Sequence, residues 1–145
     1  LFDMGRQVTV LDGQNMRLSS SKDLGFDEDS SSENIQRGIE IAKLMNQAGL
    51  ITICSFVAPS DGVRKRARAS IGDDFLLVYL NAPLEVCKER DEDGIYTADG
   101  VDTIPGVNLP YDEPEDAELI LPTHEISVEE SVERLLQLLE ESGVF

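Results

Sequence analysis

Four polar side chains within six residues, Asp12, Gln14, Asn15 and Arg17, follow the short apolar run of Val8, Val10 and Leu11. A β-branched run that stops at Asp12-Gly13 has the pattern of a buried parallel strand whose carboxyl end opens into a loop. In open α/β sheets ligands bind beyond the carboxyl ends of the strands, so these side chains emerge where a substrate would lie. Arg17 suits an anion there, because its guanidinium offers a planar fork to two oxygens of a sulfate or phosphate. The other reading of the same residues is an ordinary strand exit with a turn-forming Asp-Gly.

A chain of 145 residues fits a single domain with a sizeable core. Its formal charge of -17, from 29 acids against 12 bases, argues against nucleic acid or an anionic membrane surface as a partner. An anionic ligand would need a local basic patch. Arg64, Lys65, Arg66 and Arg68 are the basic concentration, readable as a solvated helix face or as an anion-attracting patch. Cys54 and Cys87 lie in apolar contexts in a chain without a signal peptide, which reads as two reduced core thiols in a cytoplasmic protein. No apolar run approaches the roughly 20 residues of a membrane span.

The elements that must position the polar cluster follow from periodicity. Leu1 to Arg6 reads as the last turn of a helix, with Gly5 as C-cap and its body upstream, so the chain is expected to be truncated at its N-terminus. Leu18 to Ser32 is polar and serine-rich, a long functional loop. Ser32-Glu33-Asn34 is predicted to cap a helix to about Ala48, with Ile35, Ile39, Ala42 and Met45 on its apolar face and Gly49 as the stop. Leu50 to Val57 reads as a second buried strand, Asp61 to Ile71 as a helix, Phe75 to Leu80 as a third strand, and Leu84 to Arg90 as a helix opened by Pro83. Residues 91-114 lack periodicity and look like a lid loop. Leu119 to Leu121 is a closing strand, and Ser127 caps an amphipathic helix to Glu141 that buries Val128, Val132, Leu135, Leu136 and Leu139. Strands alternating with helices imply a mostly parallel sheet covered on both faces, a three-layer α/β/α domain.

The succession VLDGQNMR, LGF, SENIQRG, AKLMNQAGLI, SFVAPS, VYLNAPLEVCKERD, GIY and PGVNLPYDEPEDAELIL resembles adenylylsulfate kinase from about Val8 to the end of the chain. The resemblance implies a P-loop-kinase fold and ATP-dependent phosphorylation of the 3'-hydroxyl of adenylyl sulfate, with ATP and Mg²⁺ as cofactors. It also implies an upstream strand and a G-x-x-x-x-G-K-[ST] loop that cradles the ATP phosphates; no such loop occurs in these residues. By resemblance, Asp12 is catalytic and Gln14 stands at a second catalytic Asp position. Asn15, Arg17, Phe26 and Asn34 bind the substrate, Arg17 at its phosphosulfate and Phe26 at its adenine, together with Ile104, Gly106 and Val107. Arg90 lies near ATP. Partners implied are the small nucleotides, a fused or associated ATP sulfurylase domain, and a second copy in a homodimer.

Several positions depart from the family pattern. Gln14 replaces a carboxylate with an amide that can neither take a proton nor offset a metal charge. Ser31 stands where the family has a second substrate-binding arginine, Asp93 replaces a lid lysine, Ala58 a serine, and Ile104-Pro105 an aromatic-threonine pair. Two readings follow: a diverged kinase, or a catalytically silent kinase-like domain that binds the adenylyl nucleotide as a regulatory ligand.

Overall fold

A computed structural model of the chain describes residues 1–92, 94–96 and 103–145. Its strands and α-helices are β1 (Val8–Asp12), α1 (Gly13–Arg17), α2 (Glu28–Gln47), β2 (Ile51–Ser55), α3 (Asp61–Ile71), β3 (Val78–Asn81), α4 (Leu84–Glu89), β4 (Leu119–Pro122) and α5 (Val128–Glu141). The α/β class and the parallel pairing are as expected. The strands are nevertheless divided between two two-stranded sheets, β1–β2 and β3–β4. Val8 lies against Ile51 and Asp12 against Ser55 in the first, Val78 against Leu119 and Asn81 against Pro122 in the second.

That division explains two departures from the predicted core. Each strand has one partner, so Val10, Ile53, Leu80 and Ile120 stay exposed although their runs read as doubly covered. Cys54, expected in the core, is likewise exposed on β2, and Cys87 is half-buried on α4; both are free thiols. On α5, Leu139 is buried and Leu135 and Leu136 are half-buried, but Val128 and Val132 are exposed. The helix packs on the narrow β4 edge, too little surface to cover its first turns. No helix among the described residues is long and apolar enough to cross a membrane.

Helix α2 begins one turn earlier than the Ser32 cap predicts. Asp27 is the N-cap, accepting from the Ser30 amide at 2.9 Å and the Ser30 hydroxyl at 2.6 Å. A carboxylate at that end, followed by Glu28 and Asp29, complements the exposed amides and the helix dipole better than a serine does. The stop at Gly49 is as predicted, with φ +86°, which glycine adopts without Cβ strain. Gly38 is the exception inside α2. A Cβ there would lie 2.7 Å from Phe56 Cζ, and one on Gly13 would lie 3.2 Å from Phe56 Cδ1. The two glycines let the Phe56 ring seat α1 against α2.

Around them, Met16 of α1, Ile39 and Ala42 of α2 and Val63 of α3 form the buried apolar core of this half. The segment predicted as a lid has an ordered part. Ile104 O accepts from the amides of Val107, Asn108 and Leu109 at 3.1 to 3.2 Å, and Gly106, at φ +81°, donates to Leu109 O at 2.8 Å. Asp93 and the rest of that expected lid, 97–102, lie outside the described residues.

Candidate substrate site

The residues expected in a loop after β1 are helical. Asp12 ends β1 and caps α1, its Oδ1 accepting from the amides of Gln14 at 2.9 Å and Asn15 at 3.1 Å. An Asp placed just before the free amides of a helix start satisfies two of them locally, and this outweighs the turn tendency of Asp-Gly. Gln14 and Asn15 are exposed on the helix, and Arg17 leaves its last turn.

Arg17 is the centre of the site. Its guanidinium donates to Gly25 O, donates from Nη2 to Ser31 Oγ at 3.1 Å, and lies 4.5 Å over the centroid of Phe26. Phe26 is 72 % exposed, so its ring is largely open to solvent. On α2, Asn34 is 4 % exposed; its Nδ2 donates to Gly13 O at 3.1 Å, while its buried Oδ1 has no partner. That bond ties α2 to the start of α1. Arg37 ties the intervening turn to α2, meeting Asp23 at 2.6 Å, Ser20 O at 2.8 Å and Glu33 at 2.9 Å. The Arg37 bond holds the Asp23 carboxyl below its ordinary value. Sequence reading missed Arg37; its spacing of four from Glu33 was the available signal.

The basic stretch of α3 divides by residue. Arg64 is buried, donating to Ala58 O at 2.8 Å and Asp112 O at 2.7 Å. Ala58 itself sits in the left-handed region at φ +41°. Asp112 completes the seam by donating its amide to Pro59 O at 2.9 Å and accepting from the Asp61 amide at 3.0 Å. Lys65 pairs with Asp61 and Arg68 with Glu118, both at 2.7 Å, whereas Arg66 donates to Ser32 Oγ at 3.2 Å.

Asp12, Gln14, Asn15, Arg17, Phe26 and Asn34 therefore share one region. No hydrogen bond joins Arg90, Ile104, Gly106 or Val107 to that region among the described residues. Arg90 donates to Thr123 O at 3.0 Å; Ile104 is buried, while Gly106 and Val107 are exposed. Two cavities also lie elsewhere: about 120 Å³ between Lys43, Asn46 and Asp74, and about 470 Å³ beside Phe2, Arg6 and Leu50. The Arg17 region is exposed surface. An exposed ring with a stacked guanidinium is suited to a planar base and an attached anion. Among the described residues no group of three or more His, Cys, Asp or Glu side chains could hold a metal ion.

The adenylylsulphate kinase family model matches residues 1–122. The chain belongs to the adenylylsulphate kinase family. It is 42 % identical over 146 residues to the adenylyl-sulfate kinase of Halothermothrix orenii, covering 99 % of this chain and 78 % of that protein. It is 42 % identical over 147 residues to the bifunctional enzyme CysN/CysC of Rhodopirellula baltica, covering 99 % of this chain but 23 % of that protein. The structure of the Mycobacterium tuberculosis APS kinase CysC in complex with AMPPNP and APS superposes with a TM-score of 0.88 at 30 % identity, covering 97 % of this chain and 84 % of that one. Within an adenylylsulphate kinase fold, the Arg17–Ser31 bond is informative: the guanidinium meets a hydroxyl at a position where the family pattern implies another positive charge.

Proposed function

We propose that this chain binds adenylyl sulfate and presents its 3'-hydroxyl for phosphorylation by ATP, the sulfate-activation step of its family. The observation that carries this reading is the Arg17–Phe26 stack, with the unpartnered Asn34 oxygen three residues beyond Ser31, which holds Arg17. The adenine would lie against the open face of Phe26, Asn34 would accept from it, and Arg17 would exchange its bonds to Gly25 O and Ser31 for oxygens of the phosphosulfate. Asp12 uses Oδ1 to cap α1, which leaves Oδ2 to orient the acceptor hydroxyl. Asn15, Ile104, Gly106 and Val107 are proposed as further substrate contacts, and Arg90 as an ATP contact.

Mg²⁺ would arrive with ATP, since the described residues build no metal site and the chain offers Asp12 as a single carboxylate beside Gln14. No G-x-x-x-x-G-K-[ST] loop is among the 145 residues. Their share of the reaction is thus to hold and align the acceptor, which is one half of what in-line transfer needs. Gln14 favours the second reading, a silent domain with adenylyl sulfate as regulatory ligand, because an amide cannot act as the base. A fused or associated ATP sulfurylase domain and a homodimer are the proposed associations.

A coupled assay of the 145-residue chain with ATP and adenylyl sulfate tests this. The expected result is acceptor binding without measurable phosphoryl transfer. Steady turnover by the purified chain would contradict the division of labour. With a phosphate loop supplied, Gln14→Asp should raise the rate about 100-fold if the domain is a diverged kinase; an unchanged rate favours the regulatory reading.

A further inference from the structure

Arg37, Arg68 and Arg134 are ion-paired at 2.6 to 2.7 Å, as expected with 29 acids available. Arg17 and Arg66 form no ion pair among the described residues. Both donate to hydroxyls on consecutive residues of α2, Arg17 to Ser31 at 3.1 Å and Arg66 to Ser32 at 3.2 Å. A single hydroxyl satisfies little of a guanidinium with five donors. Arg66 is also folded back along its helix: its Nη1 lies 3.9 Å from where a Cβ on Gly62 would sit, one turn nearer the start of α3. Its charge therefore sits at the end of α3 that follows β2, as α1 follows β1 with Arg17 at its end. Both guanidiniums lie toward the carboxyl ends of the β1–β2 pair. Asn34, three residues beyond Ser31 and hence on the same helix face, adds the buried oxygen without a partner.

We propose that Arg66 is a second cationic contact for the anionic end of the substrate, so that Arg17 and Arg66 hold a phosphate-sulfate anion from opposite flanks of the Ser31–Ser32 turn. Two charges are needed because Asp27, the cap of the same helix, and Glu28 and Asp29 in its first turn repel the anion. Ser31, too short to reach a ligand as an arginine would, serves instead to hold Arg17. The proposal rests on the reading of this region as the adenylyl sulfate site.

Calorimetric titration of the full chain, Arg66→Gln, Arg66→Lys and Arg17→Gln with adenylyl sulfate and with adenosine tests it. Arg66→Gln should weaken adenylyl sulfate about 10- to 100-fold and leave adenosine within twofold. Arg66→Lys should recover most of the loss. If the wild type binds adenylyl sulfate and Arg66→Gln binds it within twofold, the role of Arg66 is overturned while the site at Arg17 stands. Equal weakening of both ligands marks a structural role and overturns the proposal too. A wild type that binds neither ligand overturns the reading of the site, and the proposal with it.

Discussion

Among the described residues, the elements around β1 and β2 keep groups that the fold alone does not satisfy; those around β3 and β4 do not. The buried side-chain N or O atoms without partners among the described residues belong to Ser21, Asn34, Thr52 and Arg64, in the first half and on α3. Arg17 and Arg66 rest on hydroxyls there, while the Arg68 fork reaches across to Glu118 and Lys88 pairs with Glu85. Buried apolar side chains occur in both halves, Met16, Ile39, Ala42 and Val63 in the first and Leu121 and Leu139 in the second, and both leave strand residues exposed, Val10 and Ile53 against Leu80 and Ile120. Orphaned polar atoms cost free energy in a packed interior. Their concentration in the first half supports the proposal that the ligand binds there.

The largest effect should come from cutting the seam between the halves. Arg64→Met would leave Ala58 O and Asp112 O without their donors, and two charge-assisted bonds to a buried group predict a loss of about 3 to 5 kcal/mol. The urea midpoint measures it; a loss below about 1 kcal/mol would mean the halves hold together without Arg64. Gly38→Ala comes next. Its methyl would press on the Phe56 ring, and overpacking of this kind costs about 1 to 3 kcal/mol. A stabilised variant, as the higher helix propensity of alanine alone would give, would show that Phe56 is free to move.

Asp12→Ala should cost about 1 kcal/mol through the lost α1 cap, and Asp12→Asn much less. Equal losses by thermal unfolding would show that the charge, and not the cap, holds α1. The smallest effect is electrostatic. Burial pushes the Glu118 carboxyl up, but the Arg68 bond and the Leu77 amide outweigh it, and its value is lowered overall. A lowered carboxylate stabilises the fold above its unfolded value of about 4.3 and loses that contribution as pH falls through the folded value. Stability should fall on acidification below about pH 4.3, and Glu118→Gln should flatten that limb by under about 1 kcal/mol because the pair is partly solvated. An unchanged limb would remove Glu118 from the account.

What was legible in the sequence follows the range of the interaction. Helices α3 and α5 and the stop at Gly49 are set by neighbours in the chain, and their positions match the expectation, whereas the turn before Gly5, expected as the end of an α-helix, is a 3-10 turn over Phe2–Met4. The start of α2 was misplaced because Ser32-Glu33 imitates a cap that Asp27 provides more strongly. Helix α1 was missed because five residues carry no measurable period. The division into two sheets and the Arg66–Ser32 bond, across 34 residues, depend on pairing that no local pattern encodes. Of the site, Asp12, Gln14, Asn15, Arg17, Phe26 and Asn34 assemble in one region, linked through one strand and two adjacent helices, while Arg90 bonds to Thr123 after β4 and Ile104, Gly106 and Val107 form a turn of their own.

The central claim is that the acceptor nucleotide binds to the β1–β2 half. Amide chemical-shift mapping of the isotopically labelled chain with adenylyl sulfate tests it most directly. The account predicts saturable shifts at Gly13 to Arg17, Gly25 to Asn34 and Arg66, with β3, β4 and α5 silent. Shifts confined to β3, β4 and α5, with Arg17, Phe26 and Asn34 unmoved, would contradict it.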